Sequence, residues 1–144
     1  MSKFSRFMKS NKKQRENGFY APTKSLCDEN GKPLEWEFRH ITSKEDGDIR
    51  DDCTIEVQVP GKPNLFRPRV QSGKYIQKMI EASVVMPDLL DAELQDSYGV
   101  SKPGDLLLAM VDDPGEYNDL ANFVQRFQGF NVSFDDKVEE AKNS

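Results

Sequence analysis

Two hydrophobic periods divide the chain. Between Leu34 and Val70, large apolar residues alternate with polar ones, whereas between Ser72 and Gly129 they recur at intervals of three and four. Alternation is typical of half-buried strands, and the longer interval is typical of amphipathic helices. The order of the two regions predicts an α+β fold, in which a small β-hairpin and sheet region is followed by a cluster of short α-helices.

The first clear strand is predicted in the segment LEWEFRH. Leu34, Trp36 and Phe38 alternate there with charged residues, so we expect these three side chains to face the core. An Asn-Gly turn precedes the segment and predicts a partner strand within Phe19–Leu26.

A hairpin is predicted further along the chain. Its first strand carries Ile55, Val57 and Val59 in alternation with polar residues, and the segment PGKPN then turns the chain. The return strand is predicted over Leu65–Val70. Pro68 lies within it and favours an edge position, because proline cannot donate a backbone hydrogen bond.

Capping residues mark the beginnings of two helices. Thr42 and Glu45 have the spacing of a capping box, in which each side chain binds the backbone N–H of the other residue. Asp113 and Glu116 repeat this spacing, with Pro114 at the first helical position. We therefore expect a helix to start at each site, and a capping box in both.

Three more helices are predicted between these two starts. Ile76, Ile80 and Val84 lie four residues apart and predict a helix that continues to Pro87. A second helix is capped by Asp88 or Asp91 and ends at Gly99, and its apolar stripe is Leu90, Leu94 and Tyr98. A third is capped by Ser101, with Pro103 in its first turn.

The last helix has the clearest apolar stripe, formed by Tyr117, Leu120, Val124 and Phe127, and Gly129 is expected to end it. From all these periods together we predict a core that contains Trp36, Phe38, Ile76, Ile80, Leu107, Leu120 and Val124.

Charge is distributed unevenly along the 144 residues, whose net charge is −5. Residues 1–15 hold six Lys and Arg and no acid, whereas residues 86–144 hold thirteen Asp and Glu against four Lys and Arg. Both ends also lack apolar periodicity. We therefore predict a flexible basic arm over 1–18, a single α+β domain over 19–130 and a polar, mobile tail over 131–144.

Groupings of residues that could support catalysis are scarce. His40 is the only histidine, and Cys27 and Cys53 are the only cysteines, so no set of metal ligands or nucleophile–base pair is evident. We predict no enzymatic activity, no cofactor and no metal. Cysteine usage fits a reducing cytoplasm, and no apolar run approaches the roughly 18 residues of a membrane span.

Four segments carry a resemblance to a known family: LEWEFRHITSKED, VPGKPNLFRP, DAELQDSYGV and PGEYNDLANFVQRFQGF. In this order and spacing they resemble the XkdN-like family of phage tail assembly chaperones, over about Tyr20 to Lys142. The resemblance implies a protein of the bacterial host cytoplasm that coats the tape measure protein, keeps it soluble and gives way when tail tube subunits polymerise. It implies no catalytic residues.

A binding surface is therefore expected among aromatic residues that the core does not need. The candidates are Tyr98, Tyr117, Phe123, Phe127 and Phe130, with Asp96, Glu116 and Asp119 as a polar rim. Tyr117 and Phe127 lie on the main stripe, which favours the core for these two. Phe123 and Phe130 lie off it and fit a partner better.

The expected partner is the tape measure protein, with the tail tube protein as a further candidate, and self-association stays open. The alternative is a non-enzymatic interaction or regulatory module whose basic arm contacts nucleic acid. Phe4 and Phe7 could then stack on bases beside the six positive charges. The net negative charge of the whole chain makes nucleic acid the weaker expectation.

Overall fold

Two small antiparallel sheets and five helices make up residues 2–131, the part of the chain that the computed structural model describes. The α+β class predicted from the sequence is confirmed. Residues 132–144, which make up nearly all of the predicted mobile tail, lie outside the described residues.

The strands are β1 (Gly18–Tyr20), β2 (Trp36–Phe38), β3 (Thr54–Val59), β4 (Lys62–Val70) and β5 (Val84–Met86). The helices are α1 (Ser43–Asp52), α2 (Ser72–Ser83), α3 (Ala92–Ser97), α4 (Pro103–Met110) and α5 (Pro114–Phe127). Before β1, the basic arm forms two single turns of 3-10 helix, Ser5–Phe7 and Lys9–Asn11.

The first sheet has the order β1-β2-β5, with antiparallel neighbours. β1 pairs with β2 in the register Gly18↔Phe38 and Tyr20↔Trp36, as the turn between them predicted, although β1 ends at Tyr20. The expected inward position of Leu34 was wrong, because pairing with β1 stops at Trp36 and leaves the Leu34 side chain 45% exposed.

The third strand of this sheet was not predicted. The helical spacing extended to Val84, but α2 ends at Ser83 and the next three residues pair with β2. The edge of β2 offers backbone groups that need partners, and Arg39 N–H donates to Ser83 O at 2.8 Å where the chain changes direction. Proline after Met86 also disfavours helical dihedrals there.

The predicted hairpin is present as the second sheet, in which β3 and β4 pair only with each other. Its register runs from Thr54↔Val70 to Gln58↔Phe66 and, after a bulge, to Val59↔Lys62. Because this sheet has two strands, Pro68 lies on an edge strand as expected. Most of its side chains are exposed, including the apolar residues Ile55, Leu65 and Phe66.

The core lies between the three-stranded sheet and helices α2, α4 and α5. Of the seven predicted core residues, six are buried, and Ile76 packs against the core while partly buried. The buried core also includes Ile41, Met79, Leu89, Leu106, Met110, Val111 and Ala121.

Helix starts follow the local sequence in most cases. The capping box of Thr42 and Glu45 is complete, and the Asp91 side chain accepts a hydrogen bond from Leu94 N–H at 2.9 Å. The expected cap at Ser101 was wrong: Lys102 occupies the N-cap position of α4 and makes no side-chain bond.

One stripe residue was misplaced, and two helix stops were correct. Leu90 precedes the first turn of α3 and is 74% exposed, so it does not share the stripe of Leu94 and Tyr98. Gly99 and Gly129 end their helices with φ values of 69° and 93°, a region that favours glycine.

Candidate functional site

Four aromatic rings stack in a row along one side of α5. Tyr20 and Phe123 stack with ring centroids 4.4 Å apart, Phe123 and Phe127 lie 5.7 Å apart, and His40 stacks on Phe127 at 4.0 Å. We call this row, Tyr20–Phe123–Phe127–His40, the ring ladder. All four rings are partly exposed to solvent, so the ladder is a continuous apolar strip that a partner can reach.

Three elements bring these rings together. Phe123 and Phe127 are one helical turn apart on α5, while Tyr20 ends β1 and His40 follows β2. Phe38, which is fully buried, meets the Phe123 ring edge-on at 5.1 Å. The ladder is therefore anchored on the core and has a fixed geometry.

Gly18 leaves room for the ladder. A Cβ atom at this position would lie 2.6 Å from Cε1 of Phe127, which is closer than real Cβ contacts. A side chain on β1 at this point would force the Phe127 ring to move. Glycine is required here because the Phe127 ring approaches the backbone closely. The backbone conformation does not require it, because the φ angle of Gly18 is not in the left-handed region.

A shallow groove runs beside the ladder. Its first section, of about 500 Å³, is lined by Tyr20, Asp119, Asn122, Phe123, Arg126 and Phe127. The second section, of about 760 Å³, continues from Tyr20 and Asp119 towards the start of α5, between that helix and residues 21–25. The two sections share Tyr20 and Asp119, so together they form one channel along α5, which we call the α5 groove.

The charges at the groove affect the tyrosine on its floor. Burial raises the pKa of Tyr20, and the nearby carboxylates of Asp119 and Glu116 raise it further. The Tyr20 hydroxyl therefore stays protonated and can donate a hydrogen bond at neutral pH. Asp119 and Arg126 are exposed, and they place opposite charges along the groove.

The predicted capping box of α5 was wrong in its second half. Asp113 caps the helix by accepting from Glu116 N–H at 2.9 Å, as expected. The Glu116 carboxylate does not return to Asp113; it accepts from Thr23 Oγ1 and from Lys24 N–H, both at 2.8 Å. Because Thr23 is buried and needs a partner, this contact fixes the wall of the groove.

The five predicted contact residues do not form one surface. Phe123 and Phe127 lie together in the ring ladder, and Phe123 is packed more tightly than its position off the stripe suggested. Tyr98 packs against the core, and Tyr117 lines a separate pocket of about 180 Å³ with Ile76 and Ala121. Phe130 is 37% exposed and lines another cleft.

The predicted rim is divided in the same way. Asp119 borders both sections of the groove and Glu116 borders the second, whereas Asp96 is exposed on α3 and lines neither.

Burial raises the pKa of Tyr117, and the carboxylate of Glu81 raises it further.

Two ladder residues were not proposed from the sequence. Tyr20 lay in a predicted strand, and His40 was considered as a metal ligand or catalytic base. No spacing links either of them to Phe123 or Phe127. Only the pairing of β1 with β2, which brings their ends beside α5, could have identified them.

A second cleft separates the basic arm from the body. Its volume is about 870 Å³, and Lys9, Lys12, Lys13, Gln14 and Arg15 form the arm side. The body side is formed by Ile41, Thr42, Ser43, Asp46, Gln128 and Phe130. We call this the basic cleft. Arg15 holds its two sides together by donating to Ile41 O at 3.1 Å.

The described residues form no metal site, and both cysteines are free. Within residues 2–131, no group of three or more His, Cys, Asp or Glu side chains could hold a metal ion. Cys27 is exposed and Cys53 is buried, both as free thiols, and burial raises the pKa of Cys53. Among the described helices, none has the length and apolar character needed to cross a membrane.

Comparisons with known proteins give one consistent family. The sequence profile of the family described as phage XkdN-like tail assembly chaperone protein matches residues 4–142. The phage-like element PBSX protein XkdN of Bacillus subtilis (strain 168) is 22% identical over 121 residues, which are 84% of this chain and 80% of that protein.

A second Bacillus subtilis (strain 168) protein, the uncharacterized protein YqbN, matches at the same identity over the same shares of the two chains. The crystal structure of YqbN aligns with a TM-score of 0.74 at 18% identity, covering 91% of this chain and 99% of that one. At this identity the structural match concerns the fold.

Proposed function

Because this chain belongs to the phage XkdN-like tail assembly chaperone family, we propose that it binds the tape measure protein and keeps it soluble until the tail tube polymerises. The work is done by binding, without catalysis, in the cytoplasm of the bacterial host. Tail tube subunits are the partner that displaces it. The observation that carries this proposal is the α5 groove with its ring ladder.

The dimensions of the groove fit a helix. Its lining residues on α5 extend from Gly115 to Phe127, about 18 Å at 1.5 Å per residue. A partner helix of about 12 residues covers this length and presents apolar side chains at positions i, i+3 or i+4 and i+7. A long helical protein with exposed apolar stripes offers many such segments.

The chemistry of the groove suits reversible binding. The rings of the ladder are partly buried against the core already, so each contributes only its exposed face to a partner. Asp119 and Arg126 lie at the solvent side, where ion pairs are worth about 0–1 kcal/mol. Many copies bound weakly along one tape measure protein could be displaced one at a time.

The test is co-expression with the tape measure protein of the same phage. The groove variant is Asp119→Lys/Arg126→Glu, and its matched control is Asp112→Lys/Lys102→Glu. Each double substitution reverses one acidic and one basic exposed residue, so the net charge stays at −5 in both. Phe123→Asp is a poorer probe, because it would place a carboxylate against buried Phe38 and unfold the chain.

We expect the parent and the control variant to keep the tape measure protein in the supernatant and to co-purify with it, and the groove variant to retain several-fold less of it, since each exposed ion pair contributes only about 0–1 kcal/mol. Circular dichroism should show all three chains folded. If the groove variant binds as the parent does, another surface makes the contact. If the parent itself never binds, the tape measure protein is not the partner.

A further inference from the structure

The positive charge of the basic cleft has no counterpart in the described part of the chain. Within residues 2–131, the ion pairs are Arg39–Glu45, Lys44–Asp48 and Arg50–Asp46. None includes Lys9, Lys12, Lys13 or Arg15. Asp46, the acid that lines the cleft, already binds Arg50 and the hydroxyl of Tyr75. The cleft therefore presents four cations to whatever occupies it.

The cleft also has an apolar side. Phe130 lines it and is 37% exposed, beside Ile41 on the body. An occupant that satisfies both features needs carboxylates for the lysines and an apolar side chain for the phenylalanine ring. Free inorganic anions would meet only the first requirement.

The chain continues past Phe130 from one side of the basic cleft. Phe130 N–H donates to Gln125 O at 3.0 Å, which fixes the last turn, and Asn131 is the last described residue. The next 13 residues carry four carboxylates (Asp135, Asp136, Glu139 and Glu140) and two lysines, a net charge of −2, together with the apolar side chains of Val132, Phe134 and Val138.

We propose that the acidic segment 132–144 of this chain binds the basic cleft and offsets part of the positive charge of the arm. This goes beyond the proposed function, since it concerns neither the α5 groove nor the tape measure protein.

The tether is short, because Phe130 already lines the cleft. Asp135 follows Asn131 by four residues, and an extended chain spans at most about 14 Å over that distance. The entropic cost of bringing so near a segment into contact is small, because closure cost grows only slowly with loop length. The effective concentration of a tethered segment is on the order of millimolar, so weak contacts suffice to fill the cleft.

The contact has a defined salt dependence. All four cations are on the surface, and each exposed pair contributes about 0.2–1 kcal/mol. Screening shortens the range of these interactions from about 30 Å at 0.01 M salt to about 3 Å at 1 M. The segment should therefore occupy the cleft at low ionic strength and leave it as salt is added.

The test compares backbone amide chemical shifts by NMR in three full-length chains. One is the parent, and one carries Asp135→Asn, Asp136→Asn, Glu139→Gln and Glu140→Gln. The third, a control that removes the same number of charges from exposed acids elsewhere, carries Glu29→Gln, Glu35→Gln, Glu93→Gln and Asp112→Asn. Spectra are recorded at about 20 mM and about 0.5 M salt, on either side of the screening range.

We expect the amides of residues 9–15, 41–43 and 130 to shift with salt in the parent and in the control. In the variant that lacks the four tail carboxylates, these salt-dependent shifts should be lost, and its spectrum should match that of the parent at high salt. The shifts should not change on tenfold dilution, because the binding segment belongs to the same chain.

Two results would overturn the proposal. If neutralising the tail leaves these amides unchanged at low salt, the cleft does not bind segment 132–144. If the shifts in the parent disappear on dilution, the acidic segment comes from another copy. Neither result bears on the α5 groove, whose test uses different substitutions and a different partner.

Discussion

The carboxylate of Glu116 accepts a hydrogen bond from Thr23 Oγ1 at 2.8 Å, across 93 residues of sequence. Its second oxygen accepts from Lys24 N–H at the same distance. Thr23 is buried, and its hydroxyl also contacts Ser25. One side chain in the first turn of α5 therefore holds the segment after β1 against the helix and shapes the wall of the α5 groove.

Glu116→Ala should destabilise the fold by about 1–3 kcal/mol, because it removes a charged acceptor from a buried hydroxyl. The free energy of unfolding from urea titration measures this. Asp112→Ala, at an exposed acid outside both sections of the groove, is the control and should stay within about 0.5 kcal/mol of the parent. Equal stability of both variants would show that the Thr23 contact contributes nothing.

Gly18 and Gly47 offer a matched pair of glycine substitutions. Gly18→Ala places a methyl group against Phe127 and should destabilise the fold by about 1–3 kcal/mol, since the ring must shift from its packed position. Gly47→Ala lies inside α1 with open space around it and should stabilise the fold by about 0.5–1 kcal/mol. Urea titrations that rank the two the other way round would contradict the packing described here.

Trp36→Ala should cost roughly 3–5 kcal/mol, because the side chain is 2% exposed and its removal leaves a cavity between β2 and the helices. Leu34→Ala, two residues earlier and largely exposed, should cost far less. The two variants differ clearly in a thermal melt. A Trp36→Ala melt that overlaps the parent would refute the burial of this ring.

Acid should weaken the fold in part through Glu45. The pKa of this carboxyl is lowered from 4.5 to about 2. The largest cause is its hydrogen bond with the Arg39 guanidinium, and the next is its hydrogen bond with the backbone of Thr42. A carboxyl whose pKa is lower in the folded state adds stability above pH 4.5, and this stability is lost as the pH falls through about 2. The pair is more than one third exposed, so the gain is no more than about 1 kcal/mol.

Glu45→Gln measures that contribution. The stability difference between parent and variant should be largest near neutral pH and should shrink between pH 4.5 and 2. Thermal melts across this range at low salt provide the measurement. A difference that stays constant with pH would mean that the Arg39 contact does not depend on the charge of Glu45.

Local sequence determined three of the helix starts and six of the seven predicted core positions. Thr42, Asp91 and Asp113 cap their helices through backbone groups three residues away, so the decisive contact lies within one turn. The spacing of the apolar residues around Trp36, Leu120 and Val124 predicts which face of each strand or helix points to the interior. These three residues are buried, as that spacing predicts. The resemblance to the family was also carried by short segments, and the sequence profile confirms it.

Tertiary structure decided every feature that joins distant parts of the chain. Val84 follows a helical period, yet it lies in a strand because the edge of β2 needs hydrogen-bond partners. The spacing of Glu116 from Asp113 predicts a hydrogen bond within its own helix, yet its carboxylate accepts a hydrogen bond from the hydroxyl of buried Thr23.

The ring ladder and the basic cleft have the same origin. Tyr20, His40 and Phe127 come from three separate elements, and their stacking depends on how β1, β2 and α5 meet. Lys12 and Phe130 likewise border one cleft only because the arm crosses the body beside Ile41. A sequence pattern shows which residues share a face of one strand or helix. A groove or a cleft is formed by residues that are distant in sequence and come together only when the chain folds.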